Sequence, residues 1–485
     1  MNSPIKRTAL ACLLMFGLLM VNINILQGVR AEGLRSDARN IRNYYERYAI
    51  DRGRITAGNQ VLAESVDTGR TSEFRFQRKY PKGPIYAPVT GYFSPESESA
   101  IESSEDSLLD GSSPSLLLRR GIDLFTNKAT KGASVEVTIL PEAQEAAYNA
   151  LRSSGKRGAV VALDPTTGAI LAMVSLPTFD PNKVSVPNKG DAFGEAAKLE
   201  KDENQPLLNR ALNQTYPPGS TFKVVTAAAF LEDDSSRDGQ TVVDAPQRLD
   251  LPNTTDDLPN SGGAACGTGR VPLVYALERS CNTPFGKIGM DLGYDKMQEQ
   301  AAKFGVGGDP LQVPMSVAQS NFGEQEDQAA LAQASIGQRS NRTTPLQMAM
   351  IAAGIANNGV VMKPYLVNKI VDSENGQIET ADPEELSEAI SEDTSRKLRD
   401  MMVSVVQNGT ATAAQISGID VGGKTGTAET ADGRPPHAWF ISFAPAEAPK
   451  IAVAVIVESG SAGTDASGGH TAAPIAKAVM EAVLR

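Results

Sequence analysis

The strongest hydrophobic signal in this chain lies at its start. From Ala9 to Leu26 the residues are almost all apolar, interrupted late by Asn22 and Asn24, with Lys6 and Arg7 ahead of the run. About 18 apolar residues are enough to span a bilayer's hydrocarbon core, and a basic flank marks the cytoplasmic side. Residues 1–26 therefore read as a cytoplasmic tip and transmembrane signal-anchor, or as a signal peptide cut near Val29 and Ala31. Arg30 and Gln27 spoil the small-residue cleavage pattern, which favours the uncleaved anchor. Either way the remainder of the chain is expected on the extracytoplasmic side of the cell membrane.

Residues 27–155 have mixed patterning, which suggests an elongated, non-catalytic N-terminal module. A polar helical stretch runs from Ser36 to Tyr48, followed by Asp51-Arg52-Gly53-Arg54-Ile55 and short strand-like pieces such as Ile85 to Val89. Ser94 to Ser115 is rich in Ser and Glu with little apolar periodicity and predicts a solvated loop. Ser134 to Leu140 alternates as a strand, and Pro141 to Leu151 has helical spacing. From residue 156 to 485 the pattern becomes more regular. Ala159 to Leu163 and Ala169 to Ser175 flank the turn Asp164-Pro165-Thr166-Thr167-Gly168 and predict a hairpin. Trp439 to Phe443 and Ile451 to Val457 predict two neighbouring antiparallel strands, and Ala473 to Leu484 an amphipathic closing helix. With Ala-rich helical segments between them (Val224 to Leu231, Gln347 to Ala356), these elements predict an α+β domain. Its antiparallel sheet is flanked by helices, and its first and last strands meet.

Composition narrows the chemistry. The chain has 485 residues and a net charge of −11, which argues against nucleic-acid binding. Two histidines, His437 and His470, and three cysteines leave too few ligands for a zinc cluster, so no metal or other cofactor is expected. Outside the cytoplasm thiols tend to oxidise. Cys12 falls in the apolar run, leaving Cys266 and Cys281 either as a bridge or as two separate buried thiols. A bridge would close a loop of about 15 residues and contribute about 3 kcal/mol in the chain-entropy model.

Ser-x-x-Lys occurs at Ser3 to Lys6, Ser153 to Lys156 and Ser220 to Lys223. The first precedes the membrane run and the second is a polar turn. The third follows Pro217-Pro218-Gly219 and opens an apolar helix, where i and i+3 share a face and a lysine amine can reach the serine hydroxyl. A neutral lysine there can activate the serine as a nucleophile, and the helix N-terminus disfavours its cationic form. Read alone, the pair is equally an N-cap serine with a solvated first-turn lysine. Ser-x-Asn occurs at Ser280 to Asn282, in a loop between helices, and at Ser373 to Asn375, in an acidic turn. Lys424-Thr425-Gly426 occurs once and is followed by Thr427. Small residues in a strand admit a second backbone, so an extended peptide could pair there, with Lys424 and the threonine hydroxyls for a terminal carboxylate. Gly418 to Thr425 also satisfies the phosphate-loop spacing, but no helix-forming run follows Thr425.

Ser220 to Lys223, Ser280 to Asn282 and Lys424 to Gly426, in this order within one inferred domain, form the set shared by penicillin-binding proteins and class A β-lactamases. With Arg52 to Ile55, Val89 to Tyr92, Ala162 to Pro165, Ile336-Gly337-Gln338 and the Trp439 strand, the chain resembles class B penicillin-binding proteins over nearly its whole length. The penicillin-binding protein A group of actinobacteria is the nearest in pattern. The resemblance implies a serine D,D-transpeptidase that cross-links peptidoglycan stem peptides ending in D-Ala-D-Ala and is inhibited by β-lactam antibiotics. It also implies the catalytic roles: Ser220 as nucleophile, Lys223 as general base and Ser280 as proton relay. Asn282, Lys424, Thr425, Gly426 and Thr427 would bind substrate, and the Ser220 and Thr427 N–H groups would form the oxyanion hole. Division or elongation proteins are the partner class it suggests. About 130 residues between anchor and catalytic domain are too few for a glycosyltransferase domain. A D,D-carboxypeptidase, a β-lactamase and a non-catalytic scaffold are the competing readings; size, anchor and preceding module weigh against the β-lactamase.

Overall fold

In the computed structural model, the described residues are 3–35, 45, 47–69, 74–94, 97–116, 131–325, 327–372, 376–430, 435–459 and 468–485. Most of the expected helix from Ser36 to Tyr48, and the second Ser-x-Asn at 373–375, lie outside them. The apolar run is helical from Ser3 to Asn24 and continues as a wider turn from Ile25 to Val29. The most apolar 18-residue stretch of these 27 residues has a mean hydropathy of 2.3 and none of it is buried, so the helix is long and apolar enough to cross a membrane.

The central sheet has five strands, in the order Gly422–Ala428, His437–Ala444, Ile451–Val457, Gly158–Leu163, Ile170–Leu176. All four pairings are antiparallel, with Thr425 opposite Phe440, Val455 opposite Val160, and Val160 opposite Val174. The predicted hairpins are therefore present, and the first and last strands of the domain do meet. The three inner strands are mostly apolar and, apart from the half-buried His437 at one end, buried along their length, so both faces must be covered. Pro141–Ser153 and the closing helix Ala473–Leu484 pack on each other and on the sheet. The fully buried helix Pro345–Ala356 packs on the three central strands from the other side.

The N-terminal module is built on a second sheet of six strands. Ile55–Ala57, Gln60–Asp67, Phe76–Lys79 and Ser134–Val137 come from the module itself. The other two, Val367–Val371 and Gln377–Thr380, come from the chain after the buried helix, with Ile370 opposite Val135. This sheet crosses the division suggested at residue 155, and the helix Pro141–Ser153, which precedes that division, packs on the central sheet beyond it. One hydrophobic cluster runs from Ile55 and Leu62 through Val160 to Val479.

Two local expectations are corrected. Ile85 to Val89 is not a strand but part of the helix Gly83–Thr90. Tyr86, Ala87, Val89 and Thr90 are buried, which is helical spacing, and Pro84 sits in the first turn where its missing N–H costs nothing. Ser94 to Ser115 is not a solvated loop, since it holds the short helices Ala100–Ser104 and Asp106–Leu109. Ile101, Glu102 and Leu109 are fully buried. Glu102 accepts from Arg52 Nε at 2.8 Å and from Arg78 Nε at 2.6 Å, so a charge that looked solvent-seeking is neutralised by residues distant in sequence.

Candidate active site

The three motifs arrive on three different elements. Ser220 lies in the tight turn Gly219–Phe222, which feeds the helix Lys223–Asp233. Gly219 has φ +55°, and a Cβ there would lie 2.5 Å from Thr427 O. Gly337, with φ +79°, would drive a Cβ to 2.1 Å from Gly219 O, while Gly219 N–H donates to Gly337 O at 2.9 Å. The serine turn is thus clamped between the Lys-Thr-Gly strand and the Ile336-Gly337 segment. Trp439 Nε1 donates to Pro217 O at 3.0 Å and fixes the turn from the sheet side. Tyr216 donates to Glu458 Oε1 at 2.6 Å, and Arg210 Nε donates to the same oxygen at 2.9 Å, bracing the approach to Ser220.

Ser280 occupies the corner between the helices Leu273–Glu278 and Asn282–Leu292, with a left-handed φ of +56°. Such a conformation is strained for a non-glycine residue and is commonly kept where function needs it. Asn260, which no motif includes, holds this corner by accepting from Asn282 N–H at 2.8 Å and Thr283 N–H at 3.1 Å. Cys266 and Cys281 form a disulfide that ties the same corner to the preceding loop. Lys424 and Thr425 lie on Gly422–Ala428, an edge strand that among the described residues pairs with one neighbour only.

Lys223 Nζ joins the elements. It lies 2.9 Å from Ser220 Oγ, 2.7 Å from Ser280 O and 2.7 Å from Asn282 Oδ1. Lys424 Nζ donates to Ser280 Oγ at 2.8 Å and to Thr425 O at 2.9 Å. Both lysines are fully buried. Burial pushes the Lys223 amine well below the usual lysine range, and the charge of Lys424 lowers it further. Burial alone brings Lys424 down to about 7. Thr427 is exposed at the open end of the strand and faces solvent beside the serine turn.

All of the motif residues chosen from sequence converge here, whereas Ser3 lies at the start of the membrane-length helix and Ser153 at the end of Pro141–Ser153. A strand rather than a helix carries Lys424, which excludes a phosphate loop. Asn260 and Glu458 are not legible in the sequence as site residues, since they act through contacts distant in sequence. Gly337 stood out only by resemblance. Among the described residues no group of three or more His, Cys, Asp and Glu side chains could hold a metal ion.

A serine turn, a buried lysine one helical turn on, a Ser-x-Asn corner and an edge strand bearing Lys-Thr-Gly define a serine acyltransferase of the penicillin-recognising class. Residues 158–481 match the penicillin binding protein transpeptidase domain family, and residues 52–135 the penicillin binding protein A dimerisation domain family. Peptidoglycan D,D-transpeptidase PbpA of Mycolicibacterium smegmatis is 44% identical, covering 100% of this chain and 99% of that protein. Its Mycobacterium tuberculosis counterpart is 42% identical with the same coverage. The ceftriaxone acyl-enzyme complex of penicillin-binding protein A from M. tuberculosis superposes with a TM-score of 0.87. It is 42% identical and covers 91% of this chain and 100% of the solved one. The penicillin G acyl-enzyme complex gives 0.85 at 43% identity, covering 90% of this chain and 100% of the solved one. This chain belongs to the class B penicillin-binding protein transpeptidases.

Proposed function

We propose that this protein cross-links peptidoglycan through an acyl-enzyme on Ser220. The observation that carries the assignment is the placement of the buried Lys223 amine against Ser220. A neutral amine has two N–H donors and one lone pair, and Lys223 Nζ has two carbonyl oxygens at 2.7 Å, the Ser220 hydroxyl at 2.9 Å and the Ser280 hydroxyl at 3.5 Å. Donation to Ser280 O and Asn282 Oδ1 leaves the lone pair for the Ser220 hydroxyl. Lys223 takes that proton as Ser220 Oγ attacks the carbonyl of the penultimate D-Ala. The backbone N–H groups of Ser220 and Thr427 stabilise the developing oxyanion. The peptide bond then breaks, Ser280 gives its proton to the departing amine and takes the one held by Lys223, whose Nζ lies 3.5 Å from Ser280 Oγ, and the terminal D-Ala leaves. Ser280 Oγ accepts from Lys424, so its own proton is free for this step. An amine of a neighbouring stem peptide attacks the ester, forms the cross-link and regenerates Ser220.

Lys424, Thr425 and Thr427 bind the terminal carboxylate, Gly426 lets the strand pack directly against Thr221 and Pro218 of the serine turn, and Asn282 holds the stem. A β-lactam enters by the same attack, but its ring opens without releasing a fragment and the adduct persists. The helix from Ser3 anchors the protein as a single-pass membrane protein, with Lys6 and Arg7 inside and the catalytic domain outside. In this reading residues 1–26 anchor, 27–155 form the non-catalytic N-terminal module and 156–485 catalyse, with division or elongation proteins as the partner class.

Intact mass spectrometry after incubation with benzylpenicillin tests the assignment. An adduct of the drug's full mass, absent from Ser220→Ala and lasting many minutes, is expected. An adduct lost within seconds would mark a β-lactamase, and none in folded protein a scaffold. Incubation with a D-Ala-D-Ala donor and an amine acceptor should give the cross-linked amide; hydrolysis alone would mark a carboxypeptidase.

A further inference from the structure

Thr425 has a partner that lies outside all three motifs. Thr410 follows the helix Glu392–Asn408, and its hydroxyl sits 2.6 Å from Thr425 Oγ1. Its backbone N–H donates to Glu278 O at 3.2 Å, two residues before Ser280. One residue thus touches both the segment that carries the Ser-x-Asn corner and the strand that carries Lys-Thr-Gly. Thr425 is buried, whereas Thr410 is exposed.

Each hydroxyl has a single proton. If Thr425 gave its proton to Thr410, it could not donate to a substrate carboxylate. Among the described residues, the hydroxyl of Thr410 has Thr425 as its only hydrogen-bond partner. With an anion bound, the arrangement has one favourable order: Thr410 donates to Thr425, and Thr425 donates to the carboxylate. A hydroxyl that accepts one hydrogen bond is polarised and donates a stronger second one.

We propose that Thr410 is a positioning residue for carboxylate recognition, acting through Thr425 Oγ1. This rests on the reading that the Lys-Thr-Gly strand binds the substrate's terminal carboxylate. The test compares second-order acylation rates of the full chain in detergent micelles with benzylpenicillin and with its methyl ester, whose carboxylate is masked. Thr410→Val should slow acylation by the free acid about fivefold, the worth of one ordinary hydrogen bond, and leave the ester rate unchanged. Thr410→Ser should restore the free-acid rate, and Thr410→Ala should repeat the valine result if valine disturbs folding. Equal slowing with acid and ester would overturn the proposal and leave Thr410 a purely structural contact, as would no slowing at all. A wild-type enzyme that does not distinguish acid from ester would refute carboxylate recognition by the strand itself, a separate result.

Discussion

Replacing Lys424 with methionine should make the protein more stable and far less active. Lys424 is fully buried, and its pKa falls from 10.5 to about 7 on folding. Holding that group in the folded state at pH 7 costs about 4 kcal/mol. Methionine fills a similar volume without a charge. The substitution also removes the hydrogen bonds to Ser280 Oγ and Thr425 O, each contributing about 1 kcal/mol. The net expectation is a gain of about 2 kcal/mol at pH 7. Loss of the Lys424 charge also relieves Lys223, which shifts the balance in the same direction. The pH dependence is specific. Because the folded-state pKa lies below the unfolded one, the unfolded chain binds more protons between pH 7 and 10.5, and wild-type stability rises with pH across that window. The variant lacks this titration, so its advantage is nearly full at pH 7 and fades towards pH 10.5. The single tryptophan, Trp439, lies buried in the central sheet, so its fluorescence during urea unfolding reports this domain directly. Acylation by benzylpenicillin should fall at least about tenfold in the variant. A wild type as stable as Lys424→Met at pH 7, or a stability gap that does not narrow with rising pH, would refute the reasoning.

The second-order acylation rate should show a bell-shaped pH profile. Its basic limb should turn down near pH 7, where free-enzyme Lys424 loses its proton, and its acidic limb where Lys223 gains one. A rate still rising above pH 8 would contradict the role of a charged Lys424. Alkylation of denatured, unreduced protein should modify only Cys12, and prior reduction should expose all three thiols. Reduction should lower stability by about 3 kcal/mol in urea titrations, from the loop that the Cys266–Cys281 bond closes. Glu102→Gln leaves Arg52 and Arg78 without their buried anion and should destabilise the N-terminal module by about 3 kcal/mol. Hydrogen exchange across Ile101 to Leu109 should rise accordingly, and unchanged protection would show that the pair contributes little.

By itself the sequence determined the elements whose burial follows a strict local period: the membrane-length helix, the hairpin from Ala159 to Ser175, the strands around Trp439 and Ile451, and the closing helix. It also determined the three motifs, because the spacing within each is fixed by one turn, one corner or one strand. The tertiary structure alone decided what depends on residues distant in sequence. Val367–Val371 joins the N-terminal sheet because an edge of that sheet needs a partner for its backbone groups, and nothing local shows which strand supplies it. Ser94 to Ser115 reads as a solvated loop until Arg52 and Arg78 close on Glu102 and remove the reason for its exposure. The same holds at the site. The Ser-x-x-Lys pattern occurs three times, and only the fold brings one lysine against Ser280 and Asn282 while burying it deeply enough to push its amine well below the usual lysine range. Motif spacing specifies which groups are available, whereas desolvation and mutual distance, which set their protonation, exist only once the three elements have packed together.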